Sequence, residues 1–294
     1  MHLSGLSHGL TRSFSEYQGI LDRLSAVSTA AYSVRRLRTY YVGAALNVRR
    51  DSDNATQDIG FLLGGDLDVA SLLSFVGTAN GFVTTWYDQS NNANHATQTT
   101  LASQPQIVNG GTARLLNARP CTYYSGAQNL SVPPAALVLG ATPQSYNAVA
   151  RLDGTTDYVY PSVFEYGTPT LTEWRLLALN PTSPGFFSAL MASYGNDSVS
   201  TNITTPTGIL TGVVYSAYPF ANIYYNGTVG ATLPTAAFNT VNNTNGVIGG
   251  AGGTTANSWI GGISEVIVLG SAVDTVDRQT LESSQAAYYG ITIA

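Results

Sequence analysis

Residues 31–61 read AYSVRRLRTYYVGAALNVRRDSDNATQDIGF, and residues 82–98 read FVTTWYDQSNNANHATQ. The second stretch joins the aromatic pair Trp86 and Tyr87 to a turn rich in Asp and Asn. In the first stretch the arginines stand among Val, Leu and Tyr and next to acidic residues, so we expect the charges to pair with one another as a structural network. The members of that expected network are Arg35, Arg36, Arg38, Arg49, Arg50, Asp51, Asp53 and Asp58.

The composition around these stretches favours a mainly β fold. The 294 residues are 44% hydrophobic and include 30 Gly and 12 Pro. Strand-sized apolar runs separated by Thr, Asn and Ser are typical of short strands joined by polar turns. All-β domains of roughly 200–250 residues are often single. We therefore predict one main domain over residues 30–294 and an N-terminal arm over residues 1–29.

The arm and the main domain each carry local patterns. Helical spacing of apolar residues over 14–26 predicts a short helix that packs on its own domain or on a neighbouring subunit. Residues 42–50 alternate as a half-buried strand, and residues 67–77 have a helical period. Asn226-Gly227 predicts a type I′ hairpin, and Thr275 and Gly290 are expected to begin and end a C-terminal helix. Further strands are predicted near 82–88, 145–152, 158–165, 173–179, 186–193, 208–215, 220–225 and 259–269.

Charge and cysteine content exclude some classes. The net charge is −5; residues 1–50 hold seven Arg against two acids, which is +5, so the remainder carries −10. This asymmetry can mark a nucleic-acid-binding arm, but the pairing expected above argues against that use. A lone Cys121 excludes an internal disulfide framework. We also expect neither a signal peptide nor membrane insertion, because no long apolar run occurs.

The two opening stretches resemble a known pair of families. They are similar to the start of the catalytic domain of secreted B-type α-L-arabinofuranosidases, and equally to the concanavalin-like (laminin-G type) jelly rolls of phage and viral virion proteins. NARPCTYYSGAQNLSVP, residues 117–133, and the closing segment 259–291 continue the resemblance. It implies a concanavalin-like antiparallel β-sandwich, or jelly roll, with a few short helices. For residues 30–37, where local propensity allows helix or strand, it favours a short helix that leads into a strand.

The catalytic requirement of glycoside hydrolases separates an enzyme from a non-enzymatic protein of the same fold. Glycoside hydrolysis usually needs two carboxylates roughly 5–10 Å apart. The sequence has no Glu-x-Asp-x-x-Glu run, its later Glu residues are scattered, and the cysteine-rich, acid-rich stretch of arabinofuranosidases is missing, so no catalytic residue is carried over. We therefore expect a non-enzymatic virion structural or surface protein, such as a capsid decoration, tail or fibre component. It would form homo-oligomers, contact other virion proteins and bind host glycans, without nucleic-acid contact. The alternatives are an extracellular, arabinofuranosidase-like glycoside hydrolase and a carbohydrate-binding module.

Two sets of side chains are candidates for ligand binding. Aromatic rings can stack on sugars, although they also fill β-sandwich cores. The glycan-binding candidates are Trp86, Tyr87, Tyr123, Tyr124, Tyr158 and Tyr160. Asp88, Asn91 and Asn94 could supply oxygen ligands to Ca²⁺, or could instead fold the turn through their own backbone. No other cofactor is expected.

Overall fold

The computed structural model describes residues 17–154, 160–168, 170, 173–183, 186–192, 198–199, 203–230, 236–240, 244–250 and 258–294. Two α-helices, α1 (Val69–Val76) and α2 (Thr275–Tyr289), and the short 3-10 helices Ile20–Arg23, Leu101–Ser103 and Pro134–Ala136 lie within these residues. The strands are β1 (Ser28–Ser33), β2 (Leu46–Arg50), β3 (Thr56–Ile59), β4 (Gly81–Trp86), β5 (Ala96–Thr97), β6 (Gln106–Asn109), β7 (Thr112–Ala113), β8 (Leu115–Leu116), β9 (Arg119–Pro120), β10 (Thr122–Ser125), β11 (Leu130–Val132), β12 (Gln144–Leu152), β13 (Ser162–Tyr166), β14 (Arg175–Ser183), β15 (Phe186–Ala192), β16 (Ser198–Val199), β17 (Thr207–Val214), β18 (Ala221–Tyr225), β19 (Thr228–Val229), β20 (Gly246–Ile248) and β21 (Ile260–Leu269).

The strands pair antiparallel into the sandwich that the sequence predicts. In one layer β21 lies between β12 on one side and β1 and β10 on the other, and β17, β18 and β19 follow beyond β12. The other layer runs β3, β2, β4, β5, β11, β20, β13, β14, β15 and β16. Strand β6 pairs with both β4 and β10 and so joins the two layers.

Large aromatic side chains fill the space between the layers. Trp86, Tyr32, Tyr124, Phe164 and Trp259 are all fully or almost fully buried in it. Burial of each large apolar side chain stabilises the fold by about 1.5–3 kcal/mol. The core therefore accounts for these aromatic side chains, whereas Tyr40 and Tyr218 are exposed.

Most local predictions are confirmed, and two are wrong. The helix predicted over 14–26 is, in its described part, only the 3-10 helix Ile20–Arg23. Residues 30–37 do not form a helix, because Ser28–Ser33 pairs along Glu265–Leu269 of β21 and so gains a full set of backbone partners as a strand. Helix α2 is capped by Asp274 rather than Thr275, since the Asp274 carboxylate accepts from the Asp277 N–H at 2.8 Å. Gly290 ends α2 in the left-handed conformation as predicted.

The later strands also follow the sequence pattern. Strands β12, β14, β15, β17 and β18 form where strands are predicted. Asn226 and Gly227 have φ angles of 49° and 84°, and Tyr225 pairs with Thr228 across the turn, as a type I′ hairpin requires. The strand predicted near 158–165 begins at Ser162, and residues 155–159 lie outside the described part of the chain.

The described part of the arm packs on its own domain. The Leu21 N–H donates to the Leu37 carbonyl at 3.0 Å, and Ile20 and Leu21 are buried in a cluster with Leu281 of α2. The carboxylate of Asp277 in α2 accepts from the backbone N–H groups of Ser25 (2.9 Å) and Ala26 (2.8 Å) and from the Ser25 hydroxyl (2.7 Å). This carboxylate fixes the end of the arm to the closing helix.

Replacing Asp277 by asparagine is expected to destabilise the fold at neutral pH and less at low pH. Burial raises the pKa of Asp277, but the Ser25 and Ala26 donors outweigh burial and hold the pKa below its usual value. The stabilisation is therefore complete above the unfolded-state pKa of about 4 and is lost as the pH falls through the lower folded-state pKa. Urea unfolding of both proteins from neutral pH to about pH 3 measures it. A difference between them that stays constant over this range contradicts the prediction.

Candidate functional site

An open hollow of about 550 Å³ lies beside the loop that precedes β2 and the end of β3. Its lining includes Arg36, Tyr41, Val42, Asp58 and Phe61, and we refer to it as the Asp58 hollow. The loop is fixed in place because the backbone of Ala45 donates to the Ile59 carbonyl at 2.8 Å and accepts from the Tyr87 N–H at 2.9 Å. The hollow thus rests on the paired strands β2, β3 and β4.

Polar groups converge on one side of this hollow. Oδ1 of Asp58 accepts from the Tyr87 hydroxyl at 2.9 Å and from the Asn47 amide at 2.7 Å. Partial burial, with the adjacent Asp58 carboxylate, raises the pKa of Tyr87 to about 12, so the phenol stays protonated at neutral pH. Among the described residues no donor reaches Oδ2 of Asp58. This oxygen is an acceptor open to a ligand hydroxyl.

Apolar groups form the other side. The rings of Tyr41 and Phe61 pack edge to face at 6.2 Å, and Val42 is 99% exposed. Burial raises the pKa of Tyr41 to about 12, and its hydroxyl donates to the Ala44 carbonyl at 3.0 Å. An apolar wall opposite a few placed polar groups is the usual arrangement of a small-ligand site. Sugars fit such a site because they carry C–H faces and hydroxyl groups.

The structure disperses the charge network expected from the sequence. Among its eight members, all of them described, only Arg50 and Asp53 form an ion pair with each other, at 2.6 Å. Arg35 pairs with Glu265 and Arg38 with Asp22. The remaining members bond to neutral partners: Arg36 to the Leu63 carbonyl, Arg49 to Gln104 and Asn54, Asp51 to Asn80, and Asp58 to Asn47 and Tyr87. The other Arg–Asp pairs expected within this set do not form, because the fold places residues from distant parts of the chain or neutral groups against these side chains.

The aromatic candidates are also separated by the fold. Trp86 and Tyr124 are completely buried in the core, so neither ring can reach a glycan. The Tyr87 hydroxyl donates to Asp58, which lines the Asp58 hollow, and Tyr123 lines a second hollow on β10. Tyr160 packs against the small cluster around Trp174. Tyr158 lies outside the described residues.

The predicted Ca²⁺ ligands form a closed turn. Oδ1 of Asp88 accepts from the Ala31 and Ser90 N–H groups, and Oδ2 accepts from the Ser90 hydroxyl and the Asn94 N–H, all between 2.6 and 3.0 Å. The Asn94 amide donates to the Thr29 carbonyl, and Asn91 is exposed with a φ of 77°. Protein donors thus occupy the carboxylate oxygens that a cation would need. Over the described ranges, no cluster of three His, Cys, Asp or Glu side chains could hold a metal ion.

Carboxylate chemistry is limited in the described part of the chain. The Asp58 hollow is lined by one carboxylate, and Asp153 is the carboxylate of the second hollow. Glu265 and Glu282 are buried in ion pairs with Arg35 and Arg278. Sequence reasoning missed Tyr41 and Phe61, because only the folded loop brings them to Asp58.

Among the described helices, none has the length and apolar character to cross a membrane.

Comparison with known proteins finds similarity to arabinofuranosidases. A family model described as "Alpha-L-arabinofuranosidase B, catalytic" matches residues 22–127. The chain is 44% identical over 71 residues to the probable α-L-arabinofuranosidase B of Aspergillus flavus, which is 24% of this chain and 14% of that protein. A GH54 α-L-arabinofuranosidase soaked with a cyclic sulfate inhibitor superposes with a TM-score of 0.67 at 16% identity, over 91% of this chain and 64% of that one.

A further solved structure agrees. An arabinofuranosidase complexed with arabinofuranosyl-α-1,2-xylobiose has a TM-score of 0.59 at 17% identity, again over 91% of this chain and 64% of that one. At these identities the structural likeness shows the fold. The chain spans less than two thirds of these relatives, and residues 22–127 carry the sequence similarity.

These findings correct the function expected from the sequence. The expectation of a non-enzymatic virion protein is wrong, because the matching family model and the curated relative are both those of arabinofuranosidases. The arabinofuranosidase part of the resemblance stands, and the phage or viral part has no support. The acidic and cysteine motifs behind the virion expectation are local, whereas the family model matches residues 22–127 as a whole.

Proposed function

We propose that this chain is an arabinofuranosidase-type glycoside hydrolase domain that acts on α-L-arabinofuranosyl groups of extracellular saccharides. The match of residues 22–127 to an arabinofuranosidase catalytic family carries the proposal. Arg36, Tyr41, Asp58, Phe61 and Tyr87 all fall inside that segment. Its geometry supports saccharide recognition, since two aromatic rings and a carboxylate with an open oxygen line the same hollow.

Asp58 has a defined part in this proposal. Its free Oδ2 would accept a hydrogen bond from a sugar hydroxyl, while Tyr87 and Asn47 hold Oδ1 in place. Tyr41 and Phe61 would pack on the apolar face of the sugar. Bond cleavage needs two groups besides those that bind the sugar. An acid must protonate the leaving oxygen, and a carboxylate must either attack the anomeric carbon or activate a water molecule.

The direct test is release of 4-nitrophenol from 4-nitrophenyl α-L-arabinofuranoside, together with release of arabinose from arabino-oligosaccharides. The acids to replace singly by their amides are Asp157, Glu173 and Asp197, of which Asp157 and Asp197 lie outside the described residues. Two of these substitutions should each lower kcat by about 10²–10⁴-fold, as expected for an acid and its partner. A folded wild-type chain that releases no product above the uncatalysed rate overturns the proposal, even if it binds the sugar.

Asp58→Asn tests the recognition part separately. Loss of one charge-assisted hydrogen bond is expected to lower kcat/KM about 10–100-fold, corresponding to about 1.5–3 kcal/mol. Asp53→Asn is the matched control, because Asp53 is an exposed carboxylate five positions away that pairs with Arg50 outside the hollow. Equal kinetics for both variants would show that the Asp58 hollow does not contact the substrate.

A further inference from the structure

A second hollow, of about 300 Å³, lies between the β6–β8 segment and the end of β12. Its wall includes the polar side chains of Asn109, Thr112, Arg114, Tyr123, Arg151 and Asp153. We refer to it as the Arg114 hollow. Its volume is about ten times the roughly 30 Å³ that one water molecule occupies, so it accommodates a sugar ring.

Arg114 is held rigidly in this wall. Its Nε and Nη2 both donate to Oε1 of Gln106, at 2.8 and 2.5 Å, and its guanidinium lies 4.4 Å from the centre of the Tyr123 ring. Gln106 and Tyr123 are direct cross-strand partners on β6 and β10, so both supports come from the sheet. A guanidinium fixed in this way loses little side-chain entropy when a ligand binds.

Arg114 also lacks a counter-charge. Arg151 is neutralised by Asp153, which it contacts through Nε at 2.5 Å and Nη2 at 2.9 Å, and its Nη1 donates to the Leu115 carbonyl. Arg114 makes no ion pair with any described residue, and its Nη1 has no acceptor among them. The two arginines and one aspartate therefore leave the hollow with one uncompensated positive charge.

We infer that the Arg114 hollow binds the carboxylate of an acidic sugar, a uronate, within the saccharide that this chain acts on. Arg114 would hold the carboxylate, and the Asn109 amide and Thr112 hydroxyl on the same wall would bond ring hydroxyls. The fixed Asp153 carboxylate would disfavour ligands that carry more than one negative charge. The inference rests on the proposed function only for the choice of a saccharide over another carboxylate.

Calorimetric titration tests the inference, with galacturonate and glucuronate as the probes and methyl galactoside as the neutral sugar. Uronate should bind, and the neutral sugar should bind at least tenfold more weakly. Arg114→Gln should weaken uronate binding about 10–100-fold, as loss of a charge-assisted contact predicts. Arg23→Gln is the matched control, because Arg23 is exposed, has no ion pair among the described residues and lies outside the hollow. It should leave uronate binding unchanged.

Several outcomes would overturn the inference. Equal binding of the neutral sugar would show that the carboxylate is not recognised, and equal binding of inorganic phosphate would show that the hollow does not select a sugar. Unchanged uronate binding by a folded Arg114→Gln protein would show that Arg114 does not hold the carboxylate. Arg114→Lys guards against a folding artefact, since it keeps the charge and should bind with an intermediate affinity.

The uronate test is independent of the hydrolase test. Arg114→Gln should still release 4-nitrophenol from the uncharged arabinofuranoside, and Asp58→Asn should still bind uronate. Uronate binding without hydrolysis would sink the proposed function alone. Hydrolysis without uronate binding would sink this inference alone.

Discussion

Replacing Glu265 by alanine is expected to lower the free energy of unfolding by about 3–5 kcal/mol, because it leaves a buried arginine without its counter-ion. Glu265 is completely buried, and the partner Arg35 is 7% exposed. The Glu265 carboxylate accepts hydrogen bonds from Nε of Arg35 at 2.9 Å, from the Ser33 hydroxyl at 2.9 Å and from the Gln285 amide at 2.8 Å. It therefore ties β1 and helix α2 to the central strand β21.

The electrostatics of this pair favour its charged form. Burial alone lowers the pKa of Arg35, but the Glu265 carboxylate more than offsets burial, and the net pKa lies above the ordinary value. Arg35 also donates from Nη1 to the Ser284 hydroxyl at 3.0 Å and lies 5.1 Å from the centre of the Tyr288 ring. Removal of the carboxylate would leave these contacts but no compensating negative charge.

Urea unfolding of the Glu265→Ala protein measures the loss. Asp53→Ala is the control, since it removes a carboxylate from an exposed pair and should leave the unfolding midpoint close to that of the wild type. The combined change Arg35→Met with Glu265→Leu should recover much of the stability, because an apolar pair of similar volume often replaces a buried ion pair without loss. A loss smaller than about 1 kcal/mol for Glu265→Ala would place the pair among those of little net value.

Asp88→Ala should lower the free energy of unfolding by a similar amount, about 3–5 kcal/mol, because it leaves three buried backbone N–H groups without an acceptor. Each unsatisfied group costs about 1–3 kcal/mol, and partial relaxation of the turn reduces the sum. These groups belong to Ala31, Ser90 and Asn94, and Asp88 itself is 2% exposed. The turn brings the end of β4 against β1, so its loss would loosen the join between the two layers. Thermal and urea unfolding both report the change.

The same experiment separates a structural turn from a Ca²⁺ site. Addition of Ca²⁺ or of a chelator should leave the unfolding midpoint of the wild type unchanged, because protein donors already occupy the Asp88 oxygens. Asn91→Gly is the matched control in this turn, since Asn91 is exposed and glycine accepts its φ of 77°. A midpoint that rises with Ca²⁺ in the wild type and not in Asn91→Gly would establish the metal site instead.

The fold was largely predictable because it depends on local chemistry. The Asn226-Gly227 hairpin follows from the positive φ angles that these residues tolerate, and Gly290 ends α2 for the same reason. Segment 30–37 was not predictable in this way. Its strand exists because β21 offers backbone partners that lie more than 230 positions away.

The candidate site was less predictable than the fold. The sequence marks Tyr87 as a ring that could stack on a sugar and Asp58 as the partner of an arginine. In the structure these two side chains instead form one hydrogen-bonded pair. Trp86 precedes Tyr87 directly and yet is completely buried, because successive side chains of β4 point to opposite faces. A single sequence shows which residues can bind sugar and does not show which of them reach the surface.

The sequence alone therefore determined the class of the fold, the positions of most strands and turns, and the likeness of its opening segment to arabinofuranosidases. Only the tertiary structure decided the partners. The aspartates nearest to Arg35 in the sequence are Asp22 and Asp51, but Arg35 pairs with Glu265, 230 residues away, because β1 lies against β21. Local propensity acts through each residue's own backbone, whereas the partner of a charge is set by whichever strand the sheet places next to it.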